Sequence, residues 1–523
     1  MPIRARNWLT PAAWVAAVAA LLLLIFPLGF PNYDTIYSLL WGRELAEGLS
    51  PDRGAALPPT PHPLTELWGL ATSPLGDGAI DLTMIGAYVS LGLIGYLVYR
   101  LGSLWFDQPI GAVAALIVLT RAPFLSNGLR AYIDLPYIAL VLAALVVETK
   151  RPRAGWPVLA LLALAGLLRP EAWLFSFVYL AYLALGPGRS NPVRADERTE
   201  RAPLERADTQ KRDLIRSRFV RARGALSVPP AGLVVLALAG PVLWAIFDWV
   251  TAGSPTYSFT GTRETVETLE RQTGPVDLIL YGPRRLGEVL QWPGMVGAAG
   301  GVLIAAAIVL RRHRKSDTSV PYGGSNLPIG LAALVLALGA FAVLACAGLA
   351  IIPRYTMLAA ALLAIFAAFA LLGWRALEPG DAWRRPWQAF AAVVALMFVI
   401  WAPNQYDLLS RVDTDLTNQS EIESDLGDLA DSGAFEPICL PISVPNHRAV
   451  PRLAFDLDLR PSRIVSSTEQ RQPRRGYFLD PASPFVVHNF ILDPNDPARF
   501  TTEVPPGFRR VAANESWLLY RRC

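Results

Sequence analysis

Long apolar runs separated by short polar connections dominate the chain from Ala12 to about residue 402. A helix that crosses a bilayer needs about 20 apolar residues, because its backbone polar groups must be satisfied within the segment. The runs that meet or approach this requirement are 12–30, 80–99, 109–125, 133–148, 155–168, 172–186, 230–250, 293–310, 328–351, 355–373 and 387–402. They predict about eleven spanning helices and a polytopic α-helical membrane protein. From about Asn404 the hydropathy falls and no run of spanning length remains. The expected division is therefore a membrane part, 1–403, and a small α/β domain, 404–523. Within the tail, Ser420–Ala430 reads as a helix, and Pro437–Val444 and Ser516–Tyr520 read as strands.

Charge then sets the orientation. With the N-terminus inside, one side collects Arg100, the Lys150-Arg151-Pro152-Arg153 run, the 187–229 linker, Arg311 through Lys315, and Arg375 with Arg384 and Arg385. Basic residues in short loops stay on the cytoplasmic side, so an odd number of spans places the tail outside. The first apolar run lacks a small-x-small cleavage site before Pro31-Asn32-Tyr33-Asp34, which predicts an uncleaved span in a plasma membrane protein. Thr35–Glu47 has Ile36, Leu39, Leu40 and Leu45 near one face and predicts an interfacial helix.

Composition adds little to this. The chain is 53% hydrophobic and 17% charged, and its net charge of +4 is too small to point to nucleic acid. Arginine far outnumbers the three lysines, a bias read as GC-rich bacterial genome composition. Of the three cysteines, Cys346 lies in an apolar run and reads as a packing residue, whereas Cys439 and Cys523 lie in the tail. An exported tail would allow those two to pair.

The informative residues of a membrane protein are its ionisable ones. Here they gather at the outer ends of the spans: Asp34, Asp81, Arg121, Arg130, Asp134, Arg169, Glu171, Asp248 and Arg354. Each has a plain structural reading. Asp34 and Asp134 sit where helix caps belong, Arg169 and Glu171 make a local ion pair, Arg354 anchors to lipid phosphate, and His62 is a polar loop residue. Together they suit an active site open to one face. A coupled transporter or lipid flippase would carry charge near the midplane and show repeat symmetry, and neither is evident. A membrane-anchored glycan-binding protein without catalysis is the other competing class.

The pattern resembles the GT-C superfamily of membrane glycosyltransferases, which includes protein O-mannosyltransferases, aminoarabinose transferases and arabinofuranosyltransferases. The resemblance rests on Asp34 after the first span, His62-Pro63-Leu64 later in that loop, and Asp134 at the second outer loop. Leu168-Arg169-Pro170-Glu171, Pro353-Arg354-Tyr355 and Gly253-Ser254-Pro255 complete it. It implies transfer of a sugar from a polyprenyl-phosphate donor to a glycan, lipid or protein acceptor of the cell envelope, with membrane lipid around the site. Asp34 is the expected general base. Arg354 is the first candidate for the phosphate, with Arg169 and Arg263 behind it, and His62 and Tyr355 join the substrate-binding set. Asp134 and Glu171 are expected to orient the acceptor or to hold a divalent cation (Mg or Mn). The family's usual acidic pair is absent, since Asp34 is followed by Thr35.

Overall fold

A computed structural model describes residues 6–27, 29–55, 57–185, 230–315, 326–436, 439–466, 474–491 and 503–523. The 187–229 linker lies outside these residues. Sixteen helices are used below. In chain order α1 to α5 are Arg6–Ile25, Tyr33–Ala46, Pro63–Thr72, Gly78–Trp105 and Gln108–Leu119. Helices α6 to α10 are Ala122–Leu129, Asp134–Lys150, Trp156–Gly166, Glu171–Ala184 and Ala231–Ala252. Helices α11 to α16 are Tyr257–Thr268, Gly274–Lys315, Leu327–Cys346, Met357–Leu372, Arg384–Asp431 and Ala449–Asp456.

Each apolar segment read from the sequence overlaps a helix, although the runs 12–30 and 328–351 extend past the ends at Ile25 and Cys346. Among the described residues six of these helices are long and apolar enough to cross a membrane, and a seventh forms if α5 and α6, bent by 62°, act as one broken span. The chain is thus a multi-pass helical membrane protein. Helix α14 runs through the middle, with every residue from Met357 to Ala370 buried. Its alanine-rich surface lets neighbours approach closely, and a Cβ added to Gly301 of α12 would meet the Phe366 carbonyl oxygen at 1.9 Å. Helix α12 breaks at Gln291, which has φ 61° and precedes Trp292-Pro293. Trp401 donates its indole N–H to the Gln291 side chain at 2.7 Å across that break.

Two expectations change. Helix α2 covers the segment read as interfacial, but Ile36, Tyr37, Leu39, Leu40 and Trp41 are all buried. They share one hydrophobic core with Ile422, Leu426, Val450, Leu453 and Trp517 of the tail. The apolar face therefore meets protein, not lipid. Cys346, expected inside the packing, is exposed at the end of α13.

The tail helix read at Ser420–Ala430 is the end of α15, a 48-residue helix that continues from the last apolar run without a break and contains Pro403. The strands are β1 Ile442–Val444, β2 Ile464–Ser466, β3 Gly476–Pro481, β4 Arg509–Ala513 and β5 Trp517–Arg522. Their order is β2-β1-β3-β5-β4. The first three run parallel, and β3, β5 and β4 are antiparallel. Cys439 and Cys523 form a disulfide, as their placement in the tail allowed.

Polar ties hold this domain to the segment after α1. Asp52 accepts the backbone N–H and the hydroxyl of Ser462 at 2.9 and 2.5 Å, and Arg460 lies 3.4 Å from Glu44. Helices α2 and α3 cross so closely that a Cβ on Gly42 would stand 2.3 Å from the backbone of Gly69. Only glycine permits that contact, and it brings His62 at the head of α3 beside the start of α2.

Candidate active site

Asn32 explains where Asp34 points. The Asn32 side-chain oxygen accepts the N–H groups of Asp34 and Thr35 at 2.8 and 3.3 Å, so Asn32 is the cap of α2. Its amide donates to the Arg130 carbonyl at 2.7 Å, and the Thr35 hydroxyl donates to the Ala131 carbonyl at 2.8 Å. The capping role considered for Asp34 is thereby filled by a neighbour, and the Asp34 carboxylate is left for other work. It receives the Arg354 Nη1–H at 3.2 Å, and both side chains are 23% exposed.

Arg354 comes from the turn Pro353–Thr356 that leads into α14. Its Nε is buried without a hydrogen-bond partner. Its guanidinium lies 5.2 Å from the Tyr132 ring centroid and 5.4 Å from that of Tyr355. It pairs with Asp34, which answers the reading in which it anchors to lipid.

A second cluster lies alongside. Arg169 reaches Asp134 at 2.5 Å through Nη1, and through Nε and Nη2 it binds one Glu171 oxygen at 2.9 and 2.7 Å. The three side chains are 7%, 2% and 6% exposed, so this is a buried triad and not a surface ion pair reaching toward solvent. Asp134 is the first residue of α7 and caps nothing with its side chain. The Tyr355 ring joins the clusters, lying 4.1 Å from the Arg169 guanidinium as well as against Arg354.

Asp134 and Glu171 do not fit the divalent-cation role expected of them. Each gives one oxygen to Arg169 and has its other oxygen unpartnered, so a guanidinium already supplies the positive charge between them. Among the described residues no group of three or more His, Cys, Asp or Glu is arranged to hold a metal ion.

His62 is half-buried beside these charges, with its Nδ1 inaccessible and unpartnered and its ring 5.5 Å from that of Trp244. Burial, reinforced by the Arg169 and Arg354 charges, pushes its pKa down to about 3. The imidazole is neutral at physiological pH and carries no charge toward a phosphate.

Asp34, His62, Arg169, Glu171, Arg354 and Tyr355 all line one cavity of about 1130 Å³. Asp134 stands behind it, holding Arg169. Arg263 is not part of this wall. It is half exposed on α11, 3.9 Å from Glu267, and packs beside Gly348.

Sequence reasoning missed the opposite wall. Gln419, Glu423, His447, Arg448 and Phe490 of the tail line the same cavity. His447 packs edge-on against Tyr33, the neighbour of Asp34, at 5.3 Å. Arg130 donates to Gln419 at 3.0 and 2.9 Å. Loop charge placed Arg130 among the charges at the outer ends of the spans, but no local signal connects it to a residue 289 positions away.

No family model matches the chain, and no curated protein sequence is similar to it. Among solved structures the chain is similar to ArnT from Cupriavidus metallidurans bound to undecaprenyl phosphate. That match has 13% identity and a TM-score of 0.49 and covers 98% of each chain. It is also similar to the oligosaccharyltransferase AglB from Archaeoglobus fulgidus in complex with an inhibitory peptide and a dolichol-phosphate. Here identity is 13%, the TM-score is 0.43, and 87% of this chain and 64% of that chain are covered. At these scores the likeness is one of general shape and assigns no role to any residue.

Proposed function

We propose that the chain is a GT-C glycosyltransferase. It moves a sugar from a polyprenyl-phosphate donor to a hydroxyl of an envelope acceptor at the outer face of the membrane. The observation that carries this reading is the Asp34–Arg354 pair, 3.2 Å apart and facing a cavity of about 1130 Å³.

Before substrate arrives, the pair holds each partner's charge in place. A donor phosphate competes for Arg354 through the guanidinium edge that includes the unpartnered Nε. As Arg354 turns to the phosphate, the Asp34 carboxylate is released to accept the acceptor's proton. The acceptor oxygen then forms a bond to the anomeric carbon while the bond from that carbon to the phosphate oxygen breaks. The proton passes to Asp34, and the polyprenyl phosphate leaves with the bonding electrons, stabilised by Arg354. One displacement inverts the anomeric centre. Arg169, held by Asp134 and Glu171, fixes Tyr355 and through it the position of Arg354. No step is assigned to a divalent cation.

The same reading takes all the apolar runs as spans, with the N-terminus in the cytoplasm and the tail outside. The Cys439–Cys523 disulfide supports it, since such bonds persist in oxidising compartments. Purified protein in liposomes, given labelled polyprenyl-phosphate sugars and envelope acceptors, tests the reading. Transfer by wild type and its loss in D34N are expected. Donor left intact by wild type would refute it.

A further inference from the structure

Glu423 lies on α15, 8% exposed, and lines the cavity from the tail side. Its Oε2 is buried without a hydrogen-bond partner. Burial pushes its carboxyl up to about 7, with Arg452 opposing and Asp456 adding to the shift. A buried carboxyl oxygen with no donor is costly to keep, and a donor arriving with a ligand removes that cost.

The surroundings are already fixed. Gln419, one turn earlier, accepts from Arg130 and donates to the Asn489 carbonyl at 3.2 Å, and Asn418 donates to the Asn489 side chain at 3.1 Å. The next residue, Phe490, lines the same cavity while its ring packs edge-on against Trp517 at 5.7 Å, and Arg448 lines the cavity beside it. A hydrogen-bond acceptor, a guanidinium and an aromatic ring on one rigid wall match the hydroxyls and the apolar face of a sugar ring. His447 on Tyr33 ties this wall to the residue next to Asp34.

We propose that Glu423, with Arg448 and Phe490, forms the acceptor subsite and takes the hydroxyls of a glycan, so that the acceptor is held under the tail while the donor is held by Arg354. This assignment rests on the transferase reading above.

The test uses full-length protein in liposomes with two probes from the expressing cells: the labelled polyprenyl-phosphate-sugar pool and the envelope glycan fraction. E423A should raise the glycan concentration for half-maximal transfer by about tenfold, the worth of one lost hydrogen bond to a charged group. Its donor dependence and its slow cleavage of donor by water should match wild type, which also shows that the variant is folded. E423Q should fall between the two. An unchanged glycan dependence, an equal shift in donor dependence, or label appearing in envelope protein instead of glycan would each overturn the proposal. Variants that no longer cleave donor would be replaced by F490L, for which the same split is required. If wild type consumes no donor at all, the transferase reading fails first, and that outcome is distinct from the others.

Discussion

Two arginine clusters meet at Tyr355, and they differ in the balance of their charges. Arg169 faces two carboxylates and is almost sealed, whereas Arg354 faces one and stays about a quarter exposed. A buried cation enclosed by excess negative charge has no reason to change partners. A partly exposed pair with an unused Nε can exchange its carboxylate for a phosphate at little cost. The same residue types therefore form a sealed triad in one place and a more accessible pair in the other.

The contrast breaks most sharply at Asp34. Replacing it with asparagine should lower the transfer rate by about 10²- to 10⁴-fold, the range for loss of a general base, while the thermal midpoint stays near wild type. A rate within a factor of a few of wild type would remove the base assignment. The sealed triad should respond in the opposite way. R169M leaves Asp134 and Glu171 buried and uncompensated and should cost about 3–5 kcal/mol in denaturant unfolding. Adding D134N and E171Q should recover part of that loss. Were R169M to keep its stability and lose only transfer, the triad would belong to the chemistry.

A smaller effect is expected for R354Q, about a hundredfold in transfer at limiting donor, from loss of one positioned charge on the leaving phosphate. Equal loss at saturating and limiting donor would separate Arg354 from donor binding. His62 should matter least above neutral pH, where it is uncharged in both the folded and the unfolded chain. Its folded pKa of about 3 lies below the unfolded value of about 6.5, so the unfolded chain binds more protons between those limits. Stability from this group is full above about pH 6.5 and declines as pH falls toward 3. H62Q should therefore flatten the acid side of a plot of thermal midpoint against pH, and an unaltered acid limb would contradict the burial of a neutral imidazole.

Much of the frame was legible because hydropathy and loop charge are local properties. The apolar runs overlap helices, the segment 437–444 contains β1, the segment 516–520 covers the first four residues of β5, and Asp34, Arg130, Arg169, Glu171 and Arg354 among the residues gathered by loop charge line one cavity. What stayed hidden depends on contacts far apart in the chain. Nothing near Asn32 marks it above Asp34 as the cap, because the choice is made by the carbonyl of Arg130. Nothing near Ile36 or Leu40 distinguishes a lipid-facing stripe from one that meets Trp517. Glu423 reads as one acidic residue among many on a polar helix, and only the packing of the tail against α2 turns it toward the cavity. Cys346 shows the reverse error, since hydrophobic surroundings in sequence do not specify which side of a helix faces its neighbours.

The unbroken course of α15 makes the upper wall of the cavity responsive to the bilayer itself. Glu423 lies twenty residues beyond Pro403 on the same helix, about 30 Å along its axis. A tilt of about 10° in the spanning half, of the kind that follows a change in membrane thickness, would swing that position by about 5 Å if the Arg130–Gln419 and Asp52–Ser462 ties yielded. Lipid composition would then act as a mechanical input to the width of the cavity between α15 and Arg354.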